Sequence, residues 1–234
     1  MPKNIVIVHG WDSSTTKFKS LEKHLKNSGW SVLLLKLPFF DLKEPNNPWK
    51  LEDFSNYLLT KATINFKHRQ FIIFGHSNGG RIAISTQNSP IVTGIILCST
   101  AGISRNSALK RKILKWFSTI LSVTKKTKYY NYIRKIPYML AGNYDYYLIN
   151  SPTKKKTFQN LISKDLKPAV SKISKPTLIL WGREDKLTPI KDAYWLAKNI
   201  KISQLEIWDN TGHKLPYEKP KQLAEAIEKW YSTL

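Results

Sequence analysis

Six short runs of the chain are apolar and barely alternate: Asn4–Val8 (NIVIV), Ser31–Leu37 (SVLLLKL), Gln70–Phe74 (QFIIF), Val92–Cys98 (VTGIILC), Pro176–Trp181 (PTLILW) and Gln204–Trp208 (QLEIW). A strand with one wet face alternates polar and apolar residues, whereas a strand covered on both faces has no polar side to show. Each run therefore reads as a strand of a buried parallel sheet. Between the runs the apolar period changes from two to that of a helix. Phe18, Leu21 and Leu25 share one face after the first run, and Leu51, Phe54 and Leu58 do so after the second. Thr188-Pro189 reads as a helix start with Pro at the first helical position. The last helix carries Leu223, Ile227, Trp230 and Leu234, spaced by three or four. Strand and helix in repetition predict an α/β fold with about six parallel strands.

The rhythm breaks once, between the fourth and fifth strands. Residues 103–168 hold few strand-like runs, many Tyr and several basic helical stretches, and read as an insertion that splits a core of residues 1–102 and 169–234. Within it Ser107–Val123 (SALKRKILKWFSTILSV) has the pattern of an amphipathic helix. Leu109, Ile113, Trp116, Phe117, Ile120 and Leu121 gather on one side, opposite Lys110, Arg111, Lys112 and Lys115.

Composition alters this picture in one respect. At 234 residues and 41% hydrophobic content the chain can bury a core. No apolar run is long enough to span a bilayer, and the start at Met1-Pro2-Lys3, close to the first strand, leaves no room for a signal peptide. The single cysteine, Cys98, lies in an apolar run and reads as a small buried hydrophobe. A soluble, cytoplasmic protein is expected. The formal net charge, however, is +22. Of the 38 basic residues six are Arg, and from Ile103 to Lys175 there are 17 Lys and Arg against two acids, Asp145 and Asp165. The excess is concentrated in the insertion. Nucleic acid is not the expected partner, because Arg, which supplies bidentate contacts to bases and phosphates, is scarce and no binding motif is present. The basic helix reads first as a cover over an active-site entrance with its lysines in water. Weak attachment to an anionic membrane surface, or to acidic substrates, is the sharper reading.

In a parallel α/β sheet ligands bind beyond the carboxyl ends of the strands. After the first strand comes His9-Gly10-Trp11, after the third Gly75-His76-Ser77-Asn78-Gly79, after the fifth Gly182-Arg183-Glu184-Asp185, and after the sixth Asp209-Asn210-Thr211-Gly212-His213. A serine, an acid and a histidine thus all fall at strand ends. The acid is either Glu184 or Asp185, with Asp209 an outside candidate. His9 and His76 read as structural, bonding loop backbone. No cluster has metal-ligand spacing and no glycine-rich phosphate loop is present, so neither a metal nor a cofactor is expected.

These four stretches resemble the α/β-hydrolase fold family. "GHSNGG" is similar to its nucleophile elbow, G-x-S-x-G, set between a strand and a helix. "WGREDKLTP" resembles its acid loop, "NTGHKLPYEKP" its histidine loop and "HGW" its oxyanion loop. The resemblance spans the core and extends to small bacterial esterases, C–C bond hydrolases and proline-iminopeptidase-like proteins. It implies that Ser77 is a nucleophile, His213 its base and Asp185 the acid that orients the imidazole, since the family pattern favours the second carboxylate. It also implies an oxyanion hole from the backbone N–H groups of Trp11 and Asn78, and a cap made by the insertion, whose Trp116 and Phe117 would line an acyl pocket. Two strands usual at the start of the family's sheet would be missing. The function implied is hydrolysis of a small ester or related acyl compound through an acyl-enzyme on Ser77. A C–C hydrolase or an aminopeptidase would use the same triad. A binding or membrane-surface protein with little turnover would not require all three groups.

Overall fold

Strands that are apolar on both faces need helices on both sides. In the computed structural model, which describes residues 3–103 and 149–234, that requirement organises the chain. The strands are β1 (Asn4–Val8), β2 (Ser31–Leu34), β3 (Phe71–His76), β4 (Val92–Cys98), β5 (Thr177–Gly182) and β6 (Ser203–Trp208). They form one six-stranded parallel sheet in the order β2-β1-β3-β4-β5-β6. The described helices are α1 (Lys19–Asn27), α2 (Leu51–Asn65), α3 (Asn78–Ser85), α4 (Pro152–Ser163), α5 (Lys167–Val170), α6 (Ile190–Asn199), α7 (Leu215–Glu218) and α8 (Pro220–Tyr231), and a 3₁₀ turn at Thr15–Phe18 leads into α1.

The sheet separates two apolar layers. Val6, Val8, Phe71, Ile73, Ile95, Leu97, Ile179 and Trp181 pack with α2, α3, α5 and α6 on one face. Ile5, Ile7, Ile72, Phe74, Ile96, Cys98, Leu178 and Leu180 pack with α1, α7 and α8 on the other. Successive residues of a strand serve opposite layers, which is why these runs look continuous in the sequence. Phe18, Leu21 and Leu25 are fully buried, as are Leu51, Phe54 and Leu58. Each such side chain contributes roughly 2 kcal/mol on burial, and nine-residue α1, too short to persist alone, depends on that docking.

Several boundaries differ from the sequence reading. β2 ends at Leu34, and after a last bond from the Leu35 N–H to the Ile7 carbonyl the chain turns, with Phe40 and Asp41 donating to the Leu37 carbonyl. β3 runs on through Gly75 and His76, which pair with Leu97 and Cys98 of β4. Pro189 is extended and precedes α6 instead of opening it. Leu234 lies beyond the end of α8 and is exposed, while Leu223, Ile227 and Trp230 are buried as expected.

Most of residues 103–168, expected to be an insertion, lies outside the described residues, including the stretch 107–123 expected to form a basic helix and both Trp116 and Phe117. The last part of that range does not. In α4, Thr157, Phe158 and Leu161 are buried. The Trp49 N–H donates to Thr157 Oγ1 at 2.9 Å, and Asn160 Nδ2 donates to the Trp49 carbonyl at 3.1 Å. Residues 152–170 therefore pack on the core near the start of α2. Among the described residues no helix is long and apolar enough to cross a membrane.

Candidate active site

Strand order reverses between β1 and β3: from β1 the chain crosses to β2 on one side, and β3 starts the succession on the other. Such a reversal opens a crevice at the carboxyl end of the sheet. Gly10 follows β1 and Ser77 follows β3, so both lie at that crevice. They are close, since a Cβ built on Gly10 would lie 3.0 Å from Ser77 Cβ and 3.5 Å from its Oγ.

Ser77 has φ 54° and ψ −115°, a backbone conformation that L residues rarely adopt. Three backbone bonds hold it there. Its N–H donates to the Cys98 carbonyl at 3.0 Å, and its carbonyl accepts from Gly80 at 3.1 Å and Ala101 at 3.0 Å. The glycines permit the corner. A Cβ on Gly75 would stand 2.5 Å from the Gly79 carbonyl oxygen, and one on Gly79 would stand 2.2 Å from that of Val8. The chain can turn from β3 into α3 and pass across the end of β1 only where both side chains are absent. Asn78 opens α3, so its N–H has no carbonyl within the helix to bond.

Asp185 and His213 are brought together across the ends of β5 and β6. His213 Nδ1 lies 2.8 Å from Asp185 Oδ2, and the carboxylate side chain is wholly buried. Its other oxygen accepts the N–H groups of Leu187 at 2.9 Å and Thr188 at 2.8 Å. The Thr188 hydroxyl donates to Oδ2 at 2.7 Å and also lies 3.1 Å from the Ser99 carbonyl and 3.2 Å from His213 Nδ1. Burial works against the carboxylate's charge, but the bonds from His213 and Thr188 outweigh it and hold Asp185 below its ordinary pKa. An ionised Asp185 accepts the Nδ1 hydrogen, which leaves Nε2 of a neutral His213 free to act as a base.

Glu184 has a different task. Its carboxylate accepts the N–H of Asn210 at 3.2 Å and of Thr211 at 2.8 Å, and so caps the loop that carries His213. Asp209 pairs with Arg183 at the surface.

His76 joins three loops. Its Nε2 lies 2.9 Å from the His213 carbonyl, its Nδ1 lies 3.2 Å from Tyr217 Oη, and Tyr217 Oη lies 3.1 Å from Ser13 Oγ. A carbonyl only accepts, so Nε2 carries the hydrogen, Nδ1 accepts from Tyr217, and Tyr217 accepts from Ser13. Burial, aided by the nearby His213, pushes the His76 pKa down to about 3, consistent with a neutral ring. The rings of His76 and His213 stand 4.9 Å apart, which places His213 beside the residue preceding Ser77.

Beside the loop after β1, Trp11, Phe40 and Phe158 form an aromatic wall among the described residues. Their edge-to-face contacts measure 4.9 Å for Trp11–Phe40 and 4.7 Å for Trp11–Phe158. Lys154 Nζ lies 4.7 Å from the Phe40 ring and 5.8 Å from the Trp11 ring. Sequence reasoning missed Thr188, Tyr217, Asp41 and Arg81. Only Thr188 leaves a local signal, since Asp-x-x-Thr allows one carboxylate to take the amides two and three residues on and the hydroxyl. The others act through contacts with distant parts of the chain.

Comparison with known proteins gives a concordant result. A family model described as "Serine aminopeptidase, S33" matches residues 2–220. The chain is 24% identical to an uncharacterized hydrolase, YugF, of Bacillus subtilis (strain 168), over 96% of this chain and 88% of that protein. It is 26% identical to monoacylglycerol lipase ABHD6 of Rattus norvegicus over 70% of this chain, and the match spans only 55% of the lipase. It superposes on a thermophilic esterase from Thermogutta terrifontis with a TM-score of 0.73 at 19% identity, covering 98% of this chain and 89% of the other.

Proposed function

The chain belongs to the serine aminopeptidase (S33) family, hydrolases of the α/β-hydrolase superfamily, and on that premise we propose that it cleaves a small carboxylic ester through an acyl-enzyme on Ser77. The observation that carries this reading is the buried Asp185–His213 bond at 2.8 Å, with the His213 ring 4.9 Å from that of His76, the residue before the positive-φ corner at Ser77. Esterase and monoacylglycerol lipase names among the similar proteins support the ester bond.

The steps follow from the chemistry of these groups. His213 Nε2 takes the Ser77 hydroxyl proton as Oγ attacks the substrate carbonyl carbon. Asp185 holds the Nδ1 hydrogen and stabilises the imidazolium that forms. Negative charge on the former carbonyl oxygen is met by the N–H groups of Trp11 and Asn78. The intermediate collapses, the C–O bond breaks, and His213 returns its proton to the leaving alcohol. Water, deprotonated by His213, then attacks the acyl-serine, and acid and free Ser77 are released. The wall of Trp11, Phe40 and Phe158 would receive an apolar part of the substrate.

A fluorophosphonate probe is expected to label the wild type at Ser77. Ser77→Ala is expected to abolish labelling and to lower kcat on p-nitrophenyl acetate by about 10,000-fold or more. Folded wild-type protein that neither labels nor turns over p-nitrophenyl esters would refute the reading. The family's description also allows cleavage of a peptide bond after an N-terminal residue. Faster turnover of aminoacyl p-nitroanilides than of matched p-nitrophenyl esters would select it.

A further inference from the structure

We propose that His9 is a positioning residue of the oxyanion hole, held as an imidazolium by Asp41 and fixing the direction of the Trp11 N–H. The proposal rests on the reading of the site as a serine hydrolase.

Both nitrogens of the His9 ring face groups that accept. Nδ1 lies 2.8 Å from the carbonyl oxygen of Gly10, and Nε2 lies 2.7 Å from Asp41 Oδ2. A carbonyl and a carboxylate have no hydrogen to give, and a neutral imidazole has one N–H, so satisfying both bonds requires two. The alternative is a protonated Asp41 that donates to Nε2, but its oxygens are already engaged. Oδ1 accepts the Thr15 N–H at 2.8 Å and the Thr15 hydroxyl at 3.0 Å, and Oδ2 accepts the Leu37 N–H at 3.1 Å. Burial opposes the charge on Asp41, yet the amides of Thr15 and Leu37, with His9, hold its carboxyl below the ordinary value. Side-chain exposure is 1% for His9 and 6% for Asp41. Such a pair, removed from water, keeps its charge only because every bond is made.

Its consequence lies one bond away. The carbonyl of Gly10 and the N–H of Trp11 belong to one planar trans peptide and point to opposite sides. A bond that draws the Gly10 carbonyl onto the His9 ring therefore also sets the direction of the Trp11 N–H. This peptide stands beside the nucleophile, because Gly10 is the residue whose Cβ would meet Ser77. Asp41, from the loop after β2, holds the segment at both ends, through His9 before the peptide and Thr15 beyond it. The donor is thus preorganised by a charge pair outside the crevice, which spares reorganisation during the reaction.

The test is a long-range proton–nitrogen NMR correlation of the histidine rings in the wild type at pH about 7.5, where a free imidazole is mostly neutral. The His9 signal is assigned by its loss in His9→Gln. Both of its nitrogens are expected to be protonated. Asp41→Asn, which presents an amide in place of the carboxylate, is expected to leave one bare nitrogen. It should also lower kcat on p-nitrophenyl acetate by about 10- to 100-fold with KM within about two-fold, less than the loss of a whole donor. Circular dichroism checks its fold. One bare nitrogen on wild-type His9, or a folded Asp41→Asn with wild-type kcat, would overturn the proposal. If Asp41→Asn does not fold, the wild-type spectrum still decides the ring's charge. A doubly protonated His9 in a wild type that neither labels nor turns over ester would overturn the positioning role and identify the hydrolase premise as the part at fault.

Discussion

His76 and Asp185 each hold their pKa below the ordinary value in the folded chain, the one as a neutral ring and the other as a carboxylate, for different physical reasons. Asp185 loses solvation and regains more from His213 and Thr188, whereas for His76 the loss of water, aided by the nearby His213, outweighs what the His213 carbonyl and the more distant Asp185 return. The second case has a measurable consequence. In the unfolded chain residue 76 takes up a proton below about pH 6.5, the ordinary histidine value. In the folded chain it does so only near pH 3. Between these values the unfolded state binds the extra proton, so stability falls as pH falls, by about 1.4 kcal/mol per pH unit from this group. His76→Gln, whose amide can still donate to the His213 carbonyl, is expected to flatten the slope by about that amount between about pH 4.5 and 6. Urea unfolding at stepped pH measures it. Equal slopes in wild type and variant would mean that the buried ring is not kept neutral.

At the scale of elements, the site depends on how closely α3 crosses the sheet. Gly79 lies against the end of β1, where backbone cannot move aside as a flexible side chain could. Gly79→Ala is therefore expected to cost about 3 kcal/mol in urea unfolding, at the upper end of overpacking effects. A loss below about 1 kcal/mol would mean that the crossing is looser than it looks. Arg81, on the same helix, is buried and donates to the Leu161 and Lys164 carbonyls at the end of α4. A cation at a helix C-terminus opposes the negative end of its dipole. Burial lowers the Arg81 pKa to about 10, which still leaves the guanidinium charged at neutral pH. The helix behind Ser77 is thereby tied to the end of α4, in the stretch between β4 and β5.

For the whole molecule, the order β2-β1-β3-β4-β5-β6 decides where the proposed site lies, because it places the loops after β1 and β3 on either side of one crevice. The net charge of +22 acts on the molecule as a whole. Like charges repel more in the compact state than in the expanded one, and salt screens them over a length of about 10 Å at 0.1 M. Raising NaCl from about 10 to about 150 mM is expected to raise Tm by several degrees, read by differential scanning fluorimetry. A Tm that falls with salt would show that attractive ion pairs outweigh the repulsion.

The sequence by itself determined the strands and the parallel sheet, and it placed a serine and a histidine, Ser77 and His213, at strand ends. Each is a local property: a run covered on both faces cannot alternate, and a serine between glycines at the end of such a run has few reasons to be there. The choice of Asp185 over Glu184 was open on the residues alone and was made only through a family resemblance. The structure gives the physical difference, since one carboxylate meets His213 and its neighbour caps the histidine loop. The roles of Asp41, Tyr217 and Arg81 were invisible beforehand. Their partners lie 32, 141 and 80 residues away along the chain, and only the folding of the sheet brings each pair within bonding distance. Hydrophobic period is written between neighbours, whereas a ring's charge is set by which acceptors folding places around it.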